Sequence, residues 1–166
     1  MASVRGRGAG TVVLLIRHCS AGSREAWARD DGLRPLDRRG TAQAEALVGV
    51  AATVGADIRR VLSSPFLRCR QSVSPLAEAL GVPLEIEPRL AEDTGDAATG
   101  MIRGLGPGGA VLCSHGDVLP LLLRRLAAED GLPLGASPRC EKGSVWVLTG
   151  PSASRFFAAR YLLPPV

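Results

Sequence analysis

Two unbroken apolar runs constrain this chain more than any other feature. "TVVLLI" covers residues 11–16 and "GAVLC" residues 109–113. Neither alternates with polar residues, so each reads as a strand buried on both faces, inside a sheet covered by helices on either side. Both end in the same way. The first runs into Arg17-His18-Cys19 and the second into Ser114-His115-Gly116, and these are the chain's 2 histidines.

The segments between the runs alternate in type. "GTAQAEALVGVAATVG" is alanine-rich and closes on Gly55, which predicts a helix. "RRVLSSP" predicts a short strand stopped by Pro65. In "LRCRQSVSPLAEALG", Val73, Leu76, Ala77 and Leu80 fall on one helical face, and Pro75 predicts a kink or a late start. "VPLEIEP" predicts another short strand, and a helix is expected around Ala97 to Arg103. "GDVLPLLLRRLAAEDG" places Leu119, Leu122, Leu123 and Leu126 on one face, with Pro120 tolerable in the first turn. "GSVWVLTG" and "RFFAARYLL" predict two late strands joined through "PSAS" as a hairpin at a sheet edge. This alternation predicts an α/β fold: a three-layer sandwich with a mostly parallel central sheet. One domain is expected over residues 11–166, after a small, basic, glycine-rich leader over residues 1–10 that is expected to be flexible.

In such sheets ligands bind beyond the C-terminal ends of the strands. Three strand ends therefore matter: Arg17-His18, Ser64-Pro65 leading to Arg68, and Ser114-His115. Two arginines and two histidines at one edge suit the oxygens of a phosphoryl group. A neutral imidazole is also a nucleophile toward phosphorus. Neighbouring cations push a histidine below its ordinary pKa of ~6.5, so Arg17 and Arg68 would both grip phosphate and keep His18 neutral. The leaving group needs a proton, and "RLAEDTG" offers Glu92 and Asp93; spacing does not choose between them.

Other chemistries find no footing. None of the four cysteines, Cys19, Cys69, Cys113 and Cys140, has an arginine six residues on, as a cysteine phosphatase requires, and there is no C-x-x-C pair for zinc. There is no G-x-x-x-x-G-K, no G-x-G-x-x-G after a strand and no G-x-S-x-G elbow. No metal and no cofactor is expected. The net charge is +4, and Lys142 is the only lysine among 20 basic residues. Aromatic content of 4% and scattered basic residues argue against nucleic acid as a partner. No apolar stretch approaches a membrane span or a secretory signal, so a cytoplasmic location and no membrane partner are expected.

Five segments together resemble the histidine phosphatase superfamily, the phosphoglycerate-mutase-like fold. "LLIRHCSAG" is similar to its R-H-G signature. "RPLDRRGTAQAEAL" resembles its L-T-x-x-G-x-x-Q-A segment through Leu36, Gly40, Gln43 and Ala44. "VLSSPFLRCRQS" resembles S-x-x-x-R-x-x-Q-T through Ser64, Arg68, Gln71 and Ser72. "RLAE" and "VLCSHGDVL" resemble L-x-E and V-x-H-G. The resemblance implies His18 as the phosphorylated nucleophile, Arg17, Arg68 and His115 as phosphoryl ligands and Glu92 as proton donor, with no metal. It is nearest the small phosphohistidine phosphatase branch, and "CEKGSVWVLTG" also resembles the phosphatase-like half of Nudix-fused actinobacterial proteins. The expected substrate is a phosphomonoester or phosphoramidate, with protein phosphohistidine first and a nucleotide or sugar phosphate as the alternative. A phosphate-binding module without turnover is a third reading.

Two departures stand out. Cys19 replaces the family's glycine, and Arg24 stands where many members carry an asparagine that contacts phosphate. Arg24 is therefore a candidate third phosphate-binding cation. Cys19, Cys69 and Cys113 each lie within two residues of a candidate site residue, which predicts partial sensitivity to thiol reagents.

Overall fold

The computed structural model describes residues 10–166, and the expected leader falls almost wholly outside the described residues. The chain runs β1 (Thr11–Arg17), α1 (Arg38–Val54), β2 (Ile58–Ser63), α2 (Leu67–Leu80), β3 (Leu84–Ile86), α3 (Ala97–Arg103), β4 (Gly109–Ser114), α4 (Val118–Asp130), β5 (Val145–Gly150) and β6 (Ala158–Leu162). The six strands form one sheet in the order β3-β2-β4-β1-β5-β6. Pairs β2–β3, β2–β4 and β1–β4 are parallel, and β1–β5 and β5–β6 antiparallel.

The pleat explains the unbroken apolar runs. Val13 and Leu15 of β1, with Ala110 and Leu112 of β4, face a core built on α3 and α4. Leu14 and Ile16, with Val111 and Cys113, face a second core built on α1 and α2. Successive side chains point to opposite faces, so a strand covered on both sides must be apolar at every position. The predicted three layers are present.

Local signals set the helix limits. Asp37 caps α1 by accepting from the Gly40 N–H at 2.8 Å, so the helix starts two residues before the predicted glycine. Gly55, Gly81 and Gly131 close α1, α2 and α4 with φ between 66° and 74°. Pro75 does not delay α2, which starts at Leu67 and continues through it. The hairpin differs from expectation. "RFF" is not strand, because Phe156 is fully buried in the α3/α4 core and its N–H donates to Asp130 Oδ2 at 2.8 Å. The connection therefore runs to Phe157, and β6 starts at Ala158.

The topology brings three strand ends together. Arg17 pairs with Ser114 across β1 and β4, and the His18 N–H donates to the Ser114 carbonyl at 2.9 Å. Beyond β2, the Ser64 N–H donates to the Cys113 carbonyl at 3.0 Å. β4 lies between β1 and β2 and is parallel to both, so the C-terminal ends of all three strands open on one edge, where ligands bind in open α/β sheets.

Candidate active site

His18 follows β1 directly and is 4% exposed. Its Nδ1 lies 2.8 Å from the Cys19 carbonyl. A carbonyl only accepts, so Nδ1 carries the proton and Nε2 the lone pair. Burial lowers the His18 pKa to about 3, the charges of Arg68, His115 and Arg17 act in the same direction, and the bond to Cys19 opposes them.

Arg17 donates through Nη1 to the Cys140 carbonyl at 2.6 Å. Its guanidinium passes over Gly116, where an added Cβ would come 2.8 Å from Cζ. The glycine after His115 is thus needed for the close approach of Arg17.

Arg68 sits in the first turn of α2 and is fully buried. Nη1 donates to the Asp31 carbonyl at 2.9 Å and Nη2 to Glu92 Oε1 at 2.7 Å, while Cζ stands 4.8 Å from the Phe66 ring centroid. Arg17 and Arg68 each keep a buried Nε–H with no partner among the described residues.

His115 follows β4 and is 1% exposed. Its Nε2 is 2.8 Å from Ser64 Oγ, and Nδ1 is 3.3 Å from Glu92 Oε1. Glu92 therefore stands against both His115 and Arg68. Asp93, left open by spacing, is placed differently. Its φ is 62° and its N–H donates to Asp117 Oδ2 at 3.0 Å, so it lines the rim beside Asp117. Arg24 reaches Glu92 through Nη2 at 2.8 and 3.0 Å, with its side chain 61% exposed.

Arg17, His18, Arg24, Glu92 and Asp93 line a cavity of about 400 Å³. All six candidate residues, Arg17, His18, Arg24, Arg68, Glu92 and His115, gather here, Arg68 and His115 behind its wall. Three lining or supporting residues carried no clear signal. Arg34 is buried and donates to the Ala21 carbonyl at 2.6 Å and to Asp31 Oδ1 at 2.8 Å. Asp31 Oδ2 also stands 3.0 Å from Arg68 Nη2. Lys142 lines the same cavity from the loop before β5.

The motif residues outside the cavity hold its loops. Gln43 Oε1 accepts from the Ser20 N–H at 3.0 Å, and Gln71 Oε1 from the Leu36 N–H at 2.8 Å. An added Cβ at Gly40 would come 1.9 Å from the Ser20 carbonyl oxygen, so α1 starts against the His18 loop only with glycine there. Ser72 Oγ accepts from the Cys19 N–H at 2.8 Å.

The cysteines correct an expectation. Cys19, Cys69 and Cys113 are all 0% exposed, packed in the α1/α2 core. Burial pushes Cys19 up to about 11 and Cys113 well above its ordinary value. Burial also opposes ionisation of Cys69, but hydrogen bonds with Cys113 and His115 and the charges of His115 and Arg68 outweigh it, to about 6. That acidity confers no reactivity toward a reagent in solution, because the thiol is enclosed. The side chain at position 19 points into the core, and Cys19 is a small apolar filler.

No group of histidine, cysteine and acidic side chains suits a metal ion among the described residues, and no described helix is long and apolar enough to cross a membrane.

Known proteins resemble this chain to different depths. An 8-oxo-(d)GTP phosphatase of Mycolicibacterium smegmatis is 37% identical over 159 residues, covering 92% of this chain and 48% of that protein. The chain thus spans about half the length of that relative. The structure of the protein histidine phosphatase SixA complexed with tungstate superposes with a TM-score of 0.70 at 25% identity, covering 89% of this chain and 95% of that one. A phosphoglycerate mutase from Plasmodium falciparum shares the fold at a TM-score of 0.62 and 18% identity, over 92% of this chain and 90% of that one. The family model described as histidine phosphatase superfamily (branch 1) matches residues 13–103, from β1 through α3, and the chain belongs to that superfamily.

Proposed function

We propose that this chain is a metal-independent phosphatase that works through a phosphohistidine at His18. The observation that carries this reading is the bond from His18 Nδ1 to the Cys19 carbonyl. It leaves Nε2 as an unprotonated nucleophile, and a pKa of about 3 keeps it so at neutral pH. In the first step Nε2 forms a bond to phosphorus and the bond to the leaving oxygen breaks. Arg17, Arg68 and His115 hold the phosphoryl oxygens as charge shifts onto them. Glu92, as a carboxylic acid, gives its proton to the leaving oxygen. In the second step water attacks phosphorus, Glu92 takes its proton, the P–N bond breaks, and phosphate leaves a neutral His18.

Arg24 serves this site indirectly. Its guanidinium holds Glu92 from the solvent side, so it orients the proton donor, and it also contributes positive charge at the mouth. Asp93 is assigned to the rim.

Two substrate classes have support. Likeness to SixA favours protein phosphohistidine, and the 37% identical relative favours a phosphorylated small molecule such as a nucleotide. The small molecule is the better-supported reading, because the relative is the more similar in sequence.

Turnover of an aryl phosphate in EDTA tests the activity. Wild type is expected to turn over, and His18→Ala to lose about 10³-fold or more. Absence of wild-type turnover at any pH would leave a binding module in its place.

A further inference from the structure

Among the described residues, the cavity holds one cation that has neither a carboxylate partner nor a part in the proposed chemistry. Arg24, Arg34 and Arg68 are each paired with Asp31 or Glu92, and Arg17 donates to the Cys140 carbonyl. Lys142 has no carboxylate partner among the described residues. It is half-buried, and Arg17 and Lys142 are the residues common to the active cavity and an adjoining cavity of about 320 Å³, whose lining also includes Ser20, Arg39, Gln43 and Glu141, the last with its carboxylate on Arg139.

Its position is fixed. The Gly143 N–H donates to the carbonyls of Arg17 at 3.0 Å and His18 at 3.2 Å, and the Arg17 N–H donates to the Ser144 carbonyl at 3.2 Å. Gln43 Nε2 reaches the Lys142 carbonyl at 3.5 Å. Gly143 has φ 82°, and an added Cβ would lie 3.1 Å from the Gln43 amide carbon. The backbone that carries Lys142 is therefore tied to the backbone of the nucleophile, and its flexible stem extends from a rigid turn.

The electrostatics agree. Partial burial and the charges of Arg17, Arg34 and Arg68 depress Lys142, and the charge of Asp37 opposes them. A half-desolvated, unpaired ammonium is costly by itself and is stabilised by an anion. A plain phosphomonoester uses Arg17, Arg68 and His115 and leaves this ammonium over. We propose that Lys142 is a specificity-determining residue that binds a second phosphate of the substrate, beside the phosphoryl group transferred to His18. The substrate class is then a small molecule with a further phosphate, either a nucleoside diphosphate or a sugar bisphosphate, and the assignment rests on the phosphatase reading above.

Calorimetry with inorganic phosphate and imidodiphosphate, whose bridging nitrogen resists hydrolysis, tests the subsite without turnover. Wild type is expected to bind imidodiphosphate about tenfold or more tighter than phosphate; Lys142→Gln closes that gap and Lys142→Arg keeps most of it. Kinetics provide the second arm. The kcat/KM of a nucleoside diphosphate or a hexose bisphosphate, relative to an aryl phosphate, falls about tenfold in Lys142→Gln, mainly through KM. A fall confined to the diphosphate places the second phosphate in an anhydride, and one confined to the bisphosphate places it on a separate carbon. If neither the affinity gap nor either ratio changes more than about twofold, Lys142 is not that residue. Failure of wild type on the aryl phosphate would remove the phosphatase reading instead, and the calorimetric comparison would still decide the subsite.

Discussion

The rings of His18 and His115 meet edge to face, with centroids 5.4 Å apart and planes at 62°. Each residue directly follows one of two paired parallel strands, at matching register. Ser64, at the end of a third strand, bonds His115 Nε2. Ser64→Ala removes that bond from a buried imidazole and leaves the ring free to turn away from the phosphoryl position. The expected result is a drop in kcat/KM of about tenfold with aryl phosphate, while Ser64→Thr keeps most of the activity. Equal activity in wild type and Ser64→Ala would show that Ser64 does not set the ring.

Two glycines separate stability from chemistry. At Gly40 an added Cβ meets the Ser20 backbone at 1.9 Å, and neither partner can yield without moving α1. Gly40→Ala is expected to destabilise by about 2 kcal/mol or more in denaturant unfolding. At Gly116 the nearest atoms belong to the flexible Arg17 guanidinium. Gly116→Ala is expected to cost less than about 1 kcal/mol in stability. Displacing Arg17 by about 1 Å would lower kcat/KM about 10²-fold.

Stability should depend on pH through His18. Burial, then the charges of Arg68, His115 and Arg17, hold the folded pKa at about 3, below the unfolded value of 6.5. Between these values the unfolded chain binds a proton that the folded chain does not. The contribution is complete above pH 6.5 and is lost as pH falls toward 3. The Tm is expected to fall on acidification over this range, less steeply in His18→Asn. Identical slopes in the two proteins would contradict the assignment.

Thiol labelling tests the packing of the α1/α2 core. Folded protein is expected to resist labelling at Cys19, Cys69 and Cys113, and denatured protein to label at all of them. Cys19→Gly, which restores the family's residue, is expected to lose about 1 kcal/mol or more of stability from the vacated volume and to keep its chemistry. Rapid labelling of folded Cys69 would show that the core opens.

The layers and the site were legible for one physical reason. A strand covered on both faces must be apolar throughout, so charged or imidazole groups can stand only at its end, and Arg17-His18 and Ser114-His115 did. Capping and close-approach residues, such as Asp37 and Gly40, left local marks. Arg34, Asp31 and Lys142 left few, because they reach the cavity from irregular loops whose paths depend on distant bonds, such as that from Gln43 to the Lys142 carbonyl. Phe156 was misread as strand because an apolar residue in a β-rich segment looks the same whether it joins a ladder or plugs a core. Spacing did not show that a φ of 62° at Asp93 turns the two adjacent acids to different neighbours.

The central claim is the covalent intermediate at His18. Turnover of a phosphomonoester labelled in its phosphoryl group, quenched in alkali and digested, tests it directly. The expected result is a base-stable, acid-labile label on the peptide containing His18, absent from His18→Ala. An acid-stable label on another residue, or turnover that persists in His18→Ala, would contradict it.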